Sequence, residues 1–385
     1  MSMFKKKGEE EQPKVAADEC IKAFQYRIYP NKEQISLLYK VLMYCRWLYN
    51  ACLQQRIWAY KGCGKSVSMM EQKAELPDIK REFPEYKDVH SQVLQDIVIR
   101  LDKAFKGFFR RIKNGEEPGF PRFKGANRFH SFTYPQSGFE IKRNGRNGRV
   151  YLSGIGVVKI RLHREVKGKM KSCTVTEKAG KWYVSFSCIV KKNVLPETEK
   201  KVGIDLGILT LAATSDGEEI KSPKAYKKTE KDIAKKQRVV SRRKKGSKRR
   251  KKAVRLLQKA HEKAKNVRKH YNHRLARHIV NEYDVIVMED LQILNMVKND
   301  KLAKSILDMG WGQVQALIIA KAEEAGRMVI VVPPHGTSQT CSGCGEVVQK
   351  TLAVRTHKCP HCGLVLDRDV NAAINILAKG LSLVA

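Results

Sequence analysis

Close to its C-terminal end the chain carries Cys341-Ser-Gly-Cys344-Gly and Cys359-Pro-His-Cys362-Gly, two CxxC knuckles separated by 14 residues. No other stretch narrows the fold so far. Four thiols at this spacing satisfy a tetrahedral Zn²⁺, and each knuckle has the glycine that lets backbone amides turn around sulfur. With four cysteines no coordination position stays open, so the zinc is expected to be structural. His357 and His361 lie close enough in sequence to stand in for one cysteine, the less favoured arrangement. A redox CxxC is the competing reading, but redox motifs do not come as two matched knuckles. The other six cysteines, Cys20, Cys45, Cys52, Cys63, Cys173 and Cys188, are scattered and form no disulfide pattern.

Such a module organises only a small part of 385 residues. At roughly 100 to 200 residues per domain the chain should hold two to four units, and 42% apolar residues suffice to give each a core. Lys and Arg number 76 against 39 Asp and Glu, a formal charge of +37 spread along the whole sequence. A polyanion that touches several units is the simplest partner, and nucleic acid the first candidate. No apolar run approaches the ~18 to 20 residues of a membrane span, and Met1 to Glu19 is charged without an apolar signal core. A membrane partner is therefore not expected, and the expected location is cytoplasmic. Lys5-Lys6-Lys7 reads more simply as a solvated tail than as a nuclear address.

Along the chain, Ile21 to Tyr29 alternates as a strand, and Asn31 and Gln34 are placed as a capping box for a helix whose stripe is Ile35, Leu38, Leu42, Cys45, Leu48, Tyr49 and Cys52. Helical signals continue to about residue 113, where Leu101, Phe105, Phe108, Phe109 and Ile112 share a face read as core and not as a base-stacking platform. From Phe129 to Val190 short alternating runs are separated by turn chemistry: Asn144-Gly145, Asn147-Gly148 and the hairpin Lys178-Ala-Gly-Lys181. They predict an antiparallel β unit, a small barrel, which the first strand joins if the intervening helices are an insertion. A polar linker, Lys191 to Lys201, leads into a second, α/β unit. Residues 221 to 270 hold 23 Lys or Arg against Glu230, Asp232 and Glu262. Val254, Leu257, Ala264, Val267, Tyr271, Leu275 and Ile279 predict one long helix there, with a single apolar stripe and a basic remainder. Like charge at this density repels itself unless a phosphate backbone lies along it.

The second chemical constellation is acidic: Asp205 in VGIDLG, Glu289 in IVMEDL, and Asp367 and Asp369 in DRDVN. An acid inside an apolar strand is unfavourable to bury unless paired or metal-bound. Three such acids converging make an oxygen-rich site for Mg²⁺ or Mn²⁺, suited to phosphodiester hydrolysis. Taken singly, each acid is as readily a turn or cap residue.

The order GIDLG, VMED, two CxxC knuckles, DRDVNAAINI resembles the TnpB family, RNA-guided nucleases encoded by insertion sequences and related to the type V CRISPR effectors. FFRRIKNGEEPGFPRFKG, SRRKKGSKRRKK and HGTSQTCSGCG are also similar to the family's patterns, so the likeness spans about residues 21 to 380. It implies a multidomain α+β protein, with a β-barrel wedge domain that carries a helical recognition insert and then a RuvC-like RNase H fold interrupted by a zinc ribbon. In this chain that gives a tail at 1–20, a first barrel strand at 21–30, a helical insert at 31–125, the rest of the barrel at 126–198, a RuvC-like domain at 199–334, a zinc-ribbon insert for target nucleic acid at 335–366 and a last helix at 367–385.

The resemblance assigns the three catalytic, magnesium-holding acids to Asp205, Glu289 and Asp369. Asp369 is preferred to Asp367, which sits where an N-cap would, and Asp290 is expected to face away from Glu289. Arg242, Arg243, Lys244, Lys245, Lys248, Arg249, Arg250, Lys251 and Lys252, with Arg122 and Lys124, are the candidate nucleic-acid contacts. The implied activity is cleavage of double-stranded DNA beside a short adjacent motif, at one Mg²⁺-dependent site, directed by a guide RNA from the chain's own element. A monomer is expected. The alternatives are a guided binder that has lost cutting, which the complete acid trio disfavours, and a transposase or unguided nuclease of RNase H fold. Against a single-strand transposase, the ten histidines include no pair flanking one apolar residue.

Overall fold

The computed structural model describes residues 16–144, 147–350 and 354–384. The Lys5-Lys6-Lys7 reading and Gly145 of the first turn signal lie outside the described residues. The chain divides between Val190 and Lys191 into two compact units.

In the first unit β1 (Glu19–Tyr29) buries Phe24, Tyr26 and Ile28, every second residue, as alternation requires. The helix α1 (Lys32–Cys63) starts at Asn31 with both halves of the capping box made: Gln34 N–H donates to Asn31 Oδ1 (2.8 Å) and Asn31 N–H to Gln34 Oε1 (3.1 Å). Two short helices, α2 (Met69–Ala74) and α3 (Leu76–Glu82), lead to α4 (Ser91–Lys113), which packs on α1 through Val93, Leu94, Ile97, Val98 and Leu101. The stripe expected to continue to Ile112 does not stay in the core. Phe109 is 59% and Ile112 50% exposed, because the last turns of α4 run past the helices they pack on. There the Phe108 and Phe109 rings stand 5.2 Å apart, and Phe120 packs on Phe108 at 5.3 Å.

The remaining strands are β2 (Ser131–Tyr134), β3 (Phe139–Asn144), β4 (Asn147–Leu152), β5 (Gly156–Arg161), β6 (Lys169–Lys178) and β7 (Lys181–Lys191). They form one sheet in the order β2-β6-β7-β1-β5-β4-β3, so β1 rejoins its partners across the helices and lies between β7 and β5. The sheet curls into a nearly closed barrel: Phe139 on one edge strand reaches Phe186 on β7 (6.1 Å) and Tyr134 on the other edge (6.4 Å). Lys178 pairs with Lys181 across a two-residue turn in which Ala179 and Gly180 both have positive φ, the primed geometry of tight hairpins.

The second unit is built on a five-stranded sheet, β10-β9-β8-β11-β12. Its strands are β8 (Lys201–Asp205), β9 (Thr210–Thr214), β10 (Glu219–Lys221), β11 (Val285–Glu289) and β12 (Met328–Val332). The strands β8, β11 and β12 run parallel, and β9 and β10 antiparallel. Between β10 and β11 come α5 (Ala225–Ser241) and α6 (Lys248–Glu282); between β11 and β12 come α7 (Ile293–Met296), α8 (Asp300–Met309) and α9 (Trp311–Ala325). Leu275 and Ile279 of α6 and Val314 and Ile318 of α9 cover one face of the sheet. The opposite face takes α10 (Arg368–Leu381), through Ile376 and Leu377. A two-stranded hairpin, β13 (Thr356–Lys358) and β14 (Val365–Asp367), lies between β12 and α10. This is the RuvC-like RNase H fold with its cysteine-rich insert.

The segment that reads as a polar linker is strapped to the second unit. Asn193 and Leu195 donate backbone N–H bonds to Glu324 (2.8 Å) and Ala325 (3.1 Å). Arg327 spans Asp284 and the Pro196 carbonyl, and Asp284 in turn accepts from Thr198 and Glu199.

The contact of β8 with α10 sets the site and depends on glycine. A Cβ on Gly203 would lie 2.0 Å from the Ala373 carbonyl oxygen and 2.7 Å from the Leu377 nitrogen, both backbone atoms of α10. We expect Gly203→Ala to cost about 3 kcal/mol, at the upper end for overpacking because backbone must move, and to lower the melting temperature by roughly 6 to 12 °C. Gly107→Ala, mid-helix in open space, should instead be neutral or raise it; calorimetry of the two variants checks this.

Candidate active site and metal centre

The two knuckles fold alike. Cys341 N–H donates to Glu346 and Gly345 N–H to Cys341; Cys359 N–H donates to Leu364 and Gly363 N–H to Cys359. Gly345 and Gly363 have φ of +81° and +75°, where a side chain would strain the turn. The Cys341 and Cys362 sulfurs are 3.6 Å apart, as are those of Cys344 and Cys359, and all four lie within 4.8 Å of one another. Zn–S bonds of about 2.3 Å in a tetrahedron need sulfur–sulfur edges of about 3.8 Å. The cluster therefore fits a structural zinc ion. His361 is exposed, and His357 is buried with Nδ1 against Lys350; neither belongs to the thiol group.

Asp205 ends β8, Glu289 ends β11, and Asp369 is the second residue of α10, buried at 5% exposure. Parallel pairing of β8 with β11 sets the first two side by side, and α10 brings the third from the opposite face. Burial pushes the Asp205 carboxyl up to about 7, and the negative charges of Asp369 and Glu289 push the same way. Among the described residues only the four thiols gather as tightly as a bound ion would draw them; the carboxylates stand further apart. Like charges separate, and two of these acids have other partners. Thr337 donates its hydroxyl to Glu289 Oε1 (2.6 Å). Asp369 is held on Oδ2 by Arg355 and on Oδ1 by Arg368 (3.0 Å).

Asp367 has the capping role: its Oδ1 accepts from the N–H groups of Asp369 (2.7 Å) and Val370 (3.3 Å). Asp290 is exposed beyond the strand end. Sequence reading missed Arg355, Arg368, Thr337 and Gln315, whose Nε2 donates to the Glu289 carbonyl (2.6 Å). It also missed the use of the second glycine of GIDLG. A Cβ on Gly207 would meet the Thr210 carbonyl at 2.8 Å and Asp369 Oδ2 at 3.6 Å. HGTSQTCSGCG contained Thr337, but no spacing marks a hydroxyl as a carboxylate's partner.

The basic candidates flank one turn. Arg242, Arg243, Lys244 and Lys245 follow α5, and Lys248, Arg249, Arg250, Lys251 and Lys252 open α6; all are exposed except the half-buried Arg250. The apolar seam of α6 is shifted from expectation. Ala253, Ala260 and Ala264 are buried as α5 packs closely on α6, while Val267 is 46% exposed. Five cations and no acid sit in the first turns of α6, against the positive end of the helix dipole. In the first unit Arg122 is exposed, and Lys124 is tied to Asn50 through its backbone with its ammonium over the Tyr49 ring at 5.4 Å. Changing the five α6 cations to Gln should raise the melting temperature of protein free of nucleic acid. In a salt titration of RNA binding it should flatten the log–log slope by roughly 0.7 for each phosphate no longer neutralised.

Comparison with known proteins agrees with this architecture. The family described as probable transposase matches residues 173–300, and the Cas12f1-like TNB domain matches residues 311–376. A helix-turn-helix domain matches residues 20–65, where this chain forms β1 and the single helix α1. A putative RNA-guided DNA endonuclease of Streptomyces pristinaespiralis is 36% identical over 94% of this chain and 90% of its own. The putative RNA-guided DNA endonuclease InsQ of Escherichia coli strain K12 is 31% identical over 95% and 94%. A Cas12f1 solved with sgRNA and target DNA superposes with a TM-score of 0.58 at 15% identity, covering 93% of this chain and 99% of that one, a likeness of fold. A RuvC-like fold carrying a four-cysteine insert defines the class. Within it, the chain belongs to the TnpB family.

Proposed function

We propose that this chain is a transposon-encoded, RNA-guided DNA endonuclease that cuts double-stranded target DNA beside a short adjacent motif, using one RuvC-like site and a guide RNA from its own element. The observation that carries the reading is the meeting of three acids from β8, β11 and α10 with Asp205 pushed up to about 7. Carboxylates near enough for Asp205 to feel the charges of Asp369 and Glu289 suit a hard divalent cation, and the donor set is all oxygen. Asp205, Glu289 and Asp369 would hold Mg²⁺. When bound, the ion supplies an activated water and neutralises charge on the phosphate.

The chain's own residues do the remaining work. Thr337 and the Gln315 contact orient Glu289, and Trp311 Nε1–H donates to the Gly207 carbonyl (3.2 Å), fixing the loop after Asp205. The basic hairpin of α5 and α6 would hold RNA and heteroduplex by their phosphates, so that base pairing and not the protein reads sequence. The test is to express the gene with its downstream flank, purify through high salt and sequence the bound RNA. One RNA ending in element-flanking sequence, which then directs cleavage, is expected. Random RNA, or efficient cutting without RNA, would return the reading to an unguided nuclease.

A further inference from the structure

The four-cysteine insert is joined to the acids at both of its arms. Its second arm is the β13–β14 hairpin, closed at the tip by the Cys359–Cys362 knuckle and paired Thr356↔Asp367, His357↔Leu366 and Lys358↔Val365. The hairpin base continues one residue further, where Arg368 N–H donates to the Arg355 carbonyl (2.7 Å). Arg355 and Arg368 are thereby cross-strand neighbours, and both guanidinium groups fall on the Asp369 carboxylate, one on each oxygen. The first arm is fastened to the same helix. Asn371 accepts from Ser342 N–H (3.0 Å) and donates to the Thr340 carbonyl (2.8 Å), and Asn375 donates to Thr337 and Thr340. That arm also carries Thr337, on Glu289. Two of the three acids are thus held by residues of the insert.

We propose that Arg355 is a latch. Carried by the zinc hairpin, it closes Asp369, so that a divalent ion and the guanidinium compete for one carboxylate oxygen. Arg355 is then a positioning residue, and the insert, besides holding zinc, sets the metal occupancy of the acid trio. The inference rests on the reading of Asp205, Glu289 and Asp369 as metal-holding. The geometry makes the competition direct. Asp369 is buried, Arg368 already occupies Oδ1, and Oδ2 is the oxygen that Arg355 takes. Oδ2 is also the oxygen nearest the position of a Cβ on Gly207, in the loop that follows Asp205. A charge-assisted hydrogen bond is short and strong, yet a guanidinium on a flexible stem, itself 35% exposed, can leave without unfolding its hairpin.

The test measures Mn²⁺ affinity by electron paramagnetic resonance on full-length protein freed of RNA, with zinc content and melting temperature as controls of folding. Arg355→Ala should bind Mn²⁺ about tenfold more tightly than wild type, the fold-change of one charge-assisted hydrogen bond removed from competition. Arg355→Lys, which keeps the charge and loses the planar fork, should fall between them. Lys358→Ala removes an exposed charge from the same hairpin and should stay within about twofold of wild type, since a screened surface charge is worth little. An Arg355→Ala affinity equal to or weaker than wild type, with zinc retained, overturns the latch. A gain as large in Lys358→Ala also overturns it, by reducing the effect to general charge. Asp205→Ala should weaken Mn²⁺ binding in every background; if it does not, the acid trio itself is misassigned and the latch goes with it.

Discussion

Asp205→Ala is expected to bring guided cleavage down by at least about a thousandfold while leaving RNA binding unchanged, since loss of one member of a metal-holding set removes the chemistry and not the complex. The informative companion is Asp205→Asn, read by stability. Burial and the charges of Asp369 and Glu289 raise the folded-state pKa of Asp205 from an ordinary carboxylate value to about 7. The folded chain therefore holds this proton between about pH 4 and 7 where the unfolded chain releases it, and stability falls as pH rises through that window. Above about 7 the loss is complete. Without divalent metal at pH 8, Asp205→Asn should be more stable than wild type by roughly 2 kcal/mol, a value discounted for solvent at the sheet edge, or about 4 to 8 °C. At pH 4 the two should melt together. A variant that is dead in cleavage but more stable at pH 8 identifies Asp205 as a functional acid held at the expense of the fold; one that is dead and less stable would mark it as structural.

How much of this could be read from sequence depended on range. The knuckles, the capping box at Asn31, the hairpin at Ala179-Gly180 and the cap at Asp367 are local devices, each specified within a few residues, and the structure has them where the sequence puts them. The strands that present Asp205 and Glu289 were legible for the same reason: short apolar runs that stop at an acid. What could not be read was partnership over distance. Arg355 and Thr337 meet their acids only because the insert folds back on α10, and one arginine among 76 basic residues carries no mark of that. Apolar stripes also miscounted where one helix outruns its neighbour. Phe109 has the spacing of core and nothing to pack under, whereas α6 buries alanines because close approach of α5 favours small side chains over Val267. The polar segment before β8 looked like a linker because its anchor, the Asp284–Arg327 pair, lies 86 to 131 residues away.

The second large effect concerns the four thiols. Purified protein should contain one zinc per chain, and the double variant Cys359→Ser, Cys362→Ser should contain none, since two ligands cannot hold the ion that four hold. The consequence is regional. The hairpin formed by β13 and β14 has three residue pairs and little apolar burial, so without the ion nothing of comparable strength closes it; structural zinc contributes on the order of 10 kcal/mol to such small folds. The five-stranded sheet has its own core in Val202, Ile204, Ile286 and Met288 and should survive. Hydrogen exchange should then show protection lost across residues 336–350 and 354–367 and at the first turn of α10, while β8 and β11 remain protected. Cleavage should fall as far as in Asp205→Ala, because Asp367 ends β14 and caps the helix on which Asp369 rides. Retention of both cleavage and first-turn protection after zinc is lost would show that α10 holds Asp369 unaided, and that the insert serves the site only from outside.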